Sequence, residues 1–120
     1  MFKWPKKVKI GSLTFKIKYI NPGSKGADLT ENESGCINQN RHSIEIDKNM
    51  SEQMKLLVLI HEVLHGIGDV MSPNHSPFTK EGFTCTVAEF LTAALQSSGI
   101  IPTLSIDLPR QPRDKRKGKK

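Results

Sequence analysis

Apolar and polar residues alternate along Leu13-Thr14-Phe15-Lys16-Ile17-Lys18-Tyr19, the period-two pattern of a strand buried on one face. The strand signal covers residues 8 to 20. Gly11-Ser12 sits between two such runs and suits a two-residue type II′ hairpin turn. Asn21-Pro22-Gly23 ends the strand, and the polar residues 21 to 34, with Asp28, Glu31 and Glu33, read as a surface loop. Gly35-Cys36-Ile37-Asn38 and Ser43-Ile44-Glu45-Ile46-Asp47 read as a second pair of short strands turning at Asn40-Arg41. The pattern then loses its period of two. Ser51 is placed to cap a helix, Glu52 favours the positive end of its dipole, and Leu56-Leu57-Val58-Leu59-Ile60 carries it to about Ile67. This helix is apolar nearly all round, the mark of a central, buried element, and Gly66 and Gly68 weaken its end. A second helix is expected from near Ser76-Pro77 to Ser98, with Gly99 as its stop. Phe83, Val87, Phe90, Leu91, Ala94 and Leu95 recur at helical spacing and predict its core face. Two helices after two pairs of strands give an α+β class with a small, mostly antiparallel sheet.

Length and charge refine this picture. One domain with a modest core fits 120 residues. The net charge of +6 is carried by residues 109 to 120, which hold seven Lys/Arg and one Asp. Residues 1 to 108 hold eleven of each sign and are neutral. The expected division is therefore a folded domain over 1–108 and a basic, disordered appendage over 109–120. That tail suits solvation or weak, salt-sensitive contact with nucleic acid; no aromatic is interleaved to stack on bases. No apolar run is long enough for a membrane span, and the first residues do not read as a signal peptide. The expectation is a cytoplasmic protein (host cytoplasm, if phage-encoded) without a membrane partner. Cys36 and Cys85 form no CxxC pair and are expected to be buried free thiols.

The chemistry centres on His61-Glu62-Val63-Leu64-His65. Two histidines four residues apart stack on one helix face, so both imidazoles can bind one ion. Glu62 is turned by ~100° from His61, so its carboxylate reaches a water on the metal rather than the metal itself. This is the physical logic of the HExxH signature. Zinc acidifies the water and polarises the carbonyl, while Glu62 takes the proton as general base. Three polar groups inside an apolar helix otherwise cost about 1–3 kcal/mol each when buried without partners.

A third protein ligand is needed, and four candidates stand. Asp69 continues the histidine face, but where the glycines weaken the helix. His75 lies in the following loop. Glu89 falls near the middle of the polar side of the second helix, whereas Glu81 falls at the edge of its apolar stripe and can turn inward. Glu81 is favoured, with His75 next. In the longer pattern HExxHxxGxxH, Gly68 fits the glycine, but Met71 stands where the third histidine belongs, and a thioether is a poor zinc ligand.

Three stretches carry a family resemblance: residues 35 to 47, residues 56 to 68 (LLVLIHEVLHGIG) and residues 81 to 91 (EGFTCTVAEFL). On these the chain resembles the HExxH metallopeptidase-like proteins of phages and prophages related to the ImmA/IrrE group. The resemblance implies a minimal, gluzincin-like zincin: a small sheet on the motif helix and a second helix supplying a glutamate ligand. That glutamate opens an E-x-x-A-N-x-F-A-like run and corresponds to Glu81, with Thr84 and Cys85 departing from the usual Ala-Asn. It further implies a protein or peptide substrate, a regulatory protein among the candidates, paired in extended form with the edge strand beside the site. That strand would be Cys36-Ile37-Asn38 or the one from Ser43 to Asp47.

The expected function is thus a zinc metallopeptidase, a hydrolase with metal ligands His61, His65 and Glu81, general base Glu62 and cofactor Zn2+. Two other classes remain. A zinc endoribonuclease-like hydrolase would use the same helix followed by Gly68-Asp69 and the basic tail, but it lacks the histidine after Asp69 and has Glu62 where glycine is usual. A catalytically inactive zincin-fold interaction module has no need of Glu62 and should close its fourth coordination position. The oligomeric state is open.

Overall fold

The computed structural model describes residues 2–71 and 77–109. Four strands, β1 (Lys7–Ile10), β2 (Leu13–Ile20), β3 (Gly35–Asn38) and β4 (Ser43–Asp47), form one sheet in the order β1-β2-β4-β3. Two ladders are antiparallel, β1 with β2 and β3 with β4; the central β2–β4 ladder is parallel. The sheet is therefore mixed. Gly11 takes φ +61 at the first central position of the β1–β2 turn, where a Cβ would be strained.

The alternation in β2 does what its period requires. Phe15 and Ile17 are buried, whereas Lys16 and Lys18 are exposed. With Ile10, Ile44, Ile46 and Leu59 they form the core between the sheet and helix α1 (Glu52–Met71). On the other face, Glu45 is only 4% exposed. Its Oε1 accepts the backbone N–H groups of Asp28 (2.8 Å) and Leu29 (2.9 Å). The polar segment 21 to 34 is thereby pinned over the sheet, and Leu29 is buried beneath it.

Ser51 caps α1, its Oγ accepting the Met54 N–H at 3.2 Å. The helix does not weaken near Ile67 but continues to Met71. A Cβ on Gly66 would stand 2.7 Å from Ile10 Cδ1 and 2.8 Å from Ile37 Cδ1. This glycine is a point of close approach to the sheet rather than a stop signal, and the contact offsets its low helix propensity.

The second helix also differs from expectation. A short 3-10 turn, Pro77–Thr79, precedes α2 (Glu81–Ser97). Lys80 between them is extended, at φ −92 and ψ 124. The carbonyl of Phe78 is taken by the Thr84 hydroxyl (3.0 Å) and by His65 (2.7 Å). Gly99, at φ +82, ends the helix as expected. The expected core face is displaced: Phe83, Phe90 and Leu91 are exposed, while Thr84, Ala88 and Thr92 are buried. The two threonine hydroxyls bond back to Lys80 and Ala88 carbonyls, so they pack as small apolar groups. Cys36 and Cys85 are free, and Cys85 is exposed rather than buried. No described helix is long and apolar enough to cross a membrane. Apart from Pro109, the basic tail lies outside the described residues.

Candidate metal centre

α1 carries His61 and His65 on one face, and the first turn of α2 brings Glu81 to them. His61 Nε2 lies 2.7 Å from Glu81 Oε1, and His65 Nε2 lies 2.9 Å from Glu81 Oε2. The two Nε2 atoms are 3.1 Å apart. The rings are largely buried, whereas the Glu81 side chain is 74% exposed and only its carboxylate tip is engaged. Among the described residues these three form the one His/Cys/Asp/Glu cluster with ligand atoms close enough to hold a metal ion.

The donor set is of a kind that could hold a cation. His65 Nδ1 faces the Phe78 carbonyl at 2.7 Å, and a carbonyl can only accept, so Nδ1 carries the proton. In the neutral ring, Nε2 is then a lone pair, aimed at a carboxylate oxygen and at a second imidazole nitrogen. A shared cation satisfies all three groups at once. The Phe78 carbonyl fixes the ring in the way that outer hydrogen bonds orient metal-binding histidines. Burial raises the Glu81 carboxyl somewhat, but the His65 hydrogen bond and the two nearby imidazoles bring it below the usual carboxylate range.

Glu62 is not among the three. It is 7% exposed and points to the neighbouring cleft, with no hydrogen bond from the described residues. Burial raises its pKa to about 7; the His65 ring opposes this, and Glu81 and Glu33 add to it. The cleft, about 640 Å³, runs between β3 and the two helices. A Cβ on Gly35 would lie 2.5 Å from Val58 Cγ1 and 3.3 Å from Glu62 Oε2. The first residue of β3 must therefore be glycine-sized for strand and helix to close on that carboxylate. A glycine within a strand pattern was the available signal of such an approach. No sequence signal marked the carbonyl of Phe78.

The other candidates are placed apart. Asp69 Oδ2 accepts a hydrogen bond from Gln39 Nε2 at 2.8 Å and is outside the cluster. Glu89 lines the cleft without joining the cluster. His75 lies outside the described residues. Of the two strands named as peptide-binding edges, β3 is the edge; β4 is paired on both sides. Burial, with Glu45, Glu33, Glu62 and Asp28 nearby, pushes the Cys36 thiol up to about 12.

Fold and site together define an α+β chain with a mixed four-stranded sheet and a His-His-Glu constellation shared by two helices. No family model, curated protein or solved structure matches the chain.

Proposed function

We propose that this chain is a zinc-dependent metallopeptidase of the minimal zincin kind, akin to the ImmA/IrrE-related proteins. The observation that carries the reading is the meeting of His61, His65 and Glu81 next to a largely buried Glu62 that opens on a cleft. Ligands about 2.0–2.1 Å from zinc in a tetrahedron stand ~3.3 Å apart, close to the separations between these atoms. Two imidazoles and a carboxylate form a borderline-soft set that suits zinc. When bound, the ion would supply Lewis acidity for water and for the scissile carbonyl.

The chain's own residues supply the rest. Glu62, whose burial raises its proton affinity, accepts a proton from water in the cleft and delivers it to the leaving amine. The Phe78 carbonyl holds His65 in the tautomer that leaves Nε2 free. The outer edge of β3 offers unpaired main-chain groups to an extended peptide, while Leu57, Val58 and Ala88 give the cleft apolar walls. The substrate would accordingly be a protein or peptide in extended form.

The test compares wild type with Glu62→Gln, both zinc-loaded, on a mixed peptide library. Glu62→Gln is expected to retain zinc and to lose about 10²–10⁴-fold in hydrolysis. Turnover retained by Glu62→Gln contradicts the assigned role, and zinc binding without turnover in wild type indicates an inactive module.

A further inference from the structure

The charges of the folded part are sorted by region. Residues 2 to 20 hold six lysines and no acid, whereas residues 21 to 108 hold five Lys/Arg against eleven Asp/Glu, a balance of −6. β1 and β2 put four of those lysines on one face. Val8, Phe15 and Ile17 take the core side, so the alternation sends Lys7, Lys9, Lys16 and Lys18 to the side away from α1, and all four are exposed. Lys7 stands directly opposite Lys16 in the ladder, ~5 Å apart at Cβ, and Lys18 follows Lys16 by ~7 Å along the strand. Among the described residues none of the four forms an ion pair. Glu45, across the β2–β4 ladder from Lys18, is engaged by the backbone of Asp28 and Leu29.

Such an array costs stability, because like charges opposite one another in a sheet repel within a Debye length. Protection of a sheet edge accounts for lysines on β1, the outer strand, but β2 is paired on both sides and has no edge to guard. Solubility calls for charge, not for one sign gathered on one face. The array matches a regular line of negative charge. Between its lysines the face carries only Thr14, so it has no aromatic to stack on unpaired bases and no apolar side chain to insert into a lipid surface.

We infer that the outer face of β1 and β2 binds double-stranded nucleic acid through its phosphates, without reading sequence. Each lysine neutralises one phosphate and releases its counterion, so four contacts make log K fall against log salt with a slope of about −3.6 from this face. The basic residues 109 to 120 add to the same attraction. β3, which lines the cleft, is the opposite edge of the sheet, so the two surfaces can be used together. The inference does not depend on the chemistry proposed for the cleft.

Fluorescence anisotropy of the full chain with a labelled, mixed-sequence DNA duplex of about 20 base pairs, between about 25 and about 200 mM salt, tests it. Wild type is expected to bind at low salt and to weaken steeply as salt rises. Lys16→Gln with Lys18→Gln should flatten the slope by about 2 and weaken binding about tenfold or more at about 50 mM salt, with an unchanged circular dichroism spectrum. That variant should also melt no lower than wild type, because a repulsion is relieved. Removing the same charge elsewhere, by Lys25→Gln with Lys80→Gln, should leave the slope within about 0.5 of wild type. A wild type that does not bind at the lowest salt, a slope indifferent to the β2 lysines, or an equal loss in both double variants overturns the inference. So does tighter binding to single-stranded DNA, or to vesicles of anionic phospholipid, than to the duplex at the same salt.

Discussion

The two helices meet at one constellation but are held by different forces. α1 lies on the sheet through Leu59, with Val58, Val63, Ile67 and Val70 packed against the same core and Gly66 letting the backbone approach Ile10 and Ile37. α2 docks through Thr84, Ala88 and Thr92, and through reciprocal side-chain bonds of 2.9 and 2.6 Å between Gln53 and Gln96. Small side chains bury little apolar area, so α2 is held more weakly per turn than α1. The consequence for the site is an asymmetry of its ligands. The core fixes the two imidazoles; the carboxylate of Glu81 arrives on the less anchored element.

Substitutions should expose that difference, and the largest effect belongs to the core beneath α1. Ile44 is fully buried, and Ile44→Ala is expected to destabilise the chain by about 2–5 kcal/mol in chemical denaturation. A loss below 1 kcal/mol would mean that the sheet does not anchor α1.

Glu62 gives a smaller, pH-dependent effect in metal-free protein. Its folded pKa is raised from the ordinary 4.5 to about 7, so its charge destabilises the fold once ionised. The penalty is absent below about 4.5, grows as pH rises and is complete above about 7. Glu62→Gln should therefore stabilise the metal-free chain at pH 8 by at most about 3 kcal/mol, with the gain fading towards pH 4.5. A gain that grows on acidification would reverse the sign and refute the burial argument.

At the other extreme, Phe90 on α2 is 73% exposed and contributes little to the core. Phe90→Ala should change unfolding free energy by no more than about 0.5 kcal/mol. A loss comparable to Ile44→Ala would place Phe90 inside the fold and remove the contrast between the helices.

Much of α1 was legible. Histidines four apart, a glutamate turned towards the water, a serine cap and an apolar sequence are all local signals, and the structure brings His61, His65 and Glu81 together on the helices expected to carry them. The alternation of β2 likewise identified its buried face. What escaped was set by tertiary contact. Gly66 looked like a helix terminator because propensity cannot register the two isoleucines packed against it. The stripe from Phe83 to Ala94 looked like core because periodicity reports an apolar arc without saying what covers it. The buried arc went unseen because threonines count as polar until their hydroxyls bond to the preceding turn. Strand order, with β3 at the edge and β4 inside, follows from a parallel β2–β4 ladder that no local pattern encodes.

The central claim is that His61, His65 and Glu81 hold one catalytic ion, and the most direct test is zinc stoichiometry. Equilibrium dialysis with elemental analysis should give about one zinc per wild-type chain, and the same for Asp69→Ala and Glu89→Ala. His61→Ala and Glu81→Ala should lose it while keeping their secondary structure. Zinc retained by Glu81→Ala, or a folded wild type that binds none, would contradict the account.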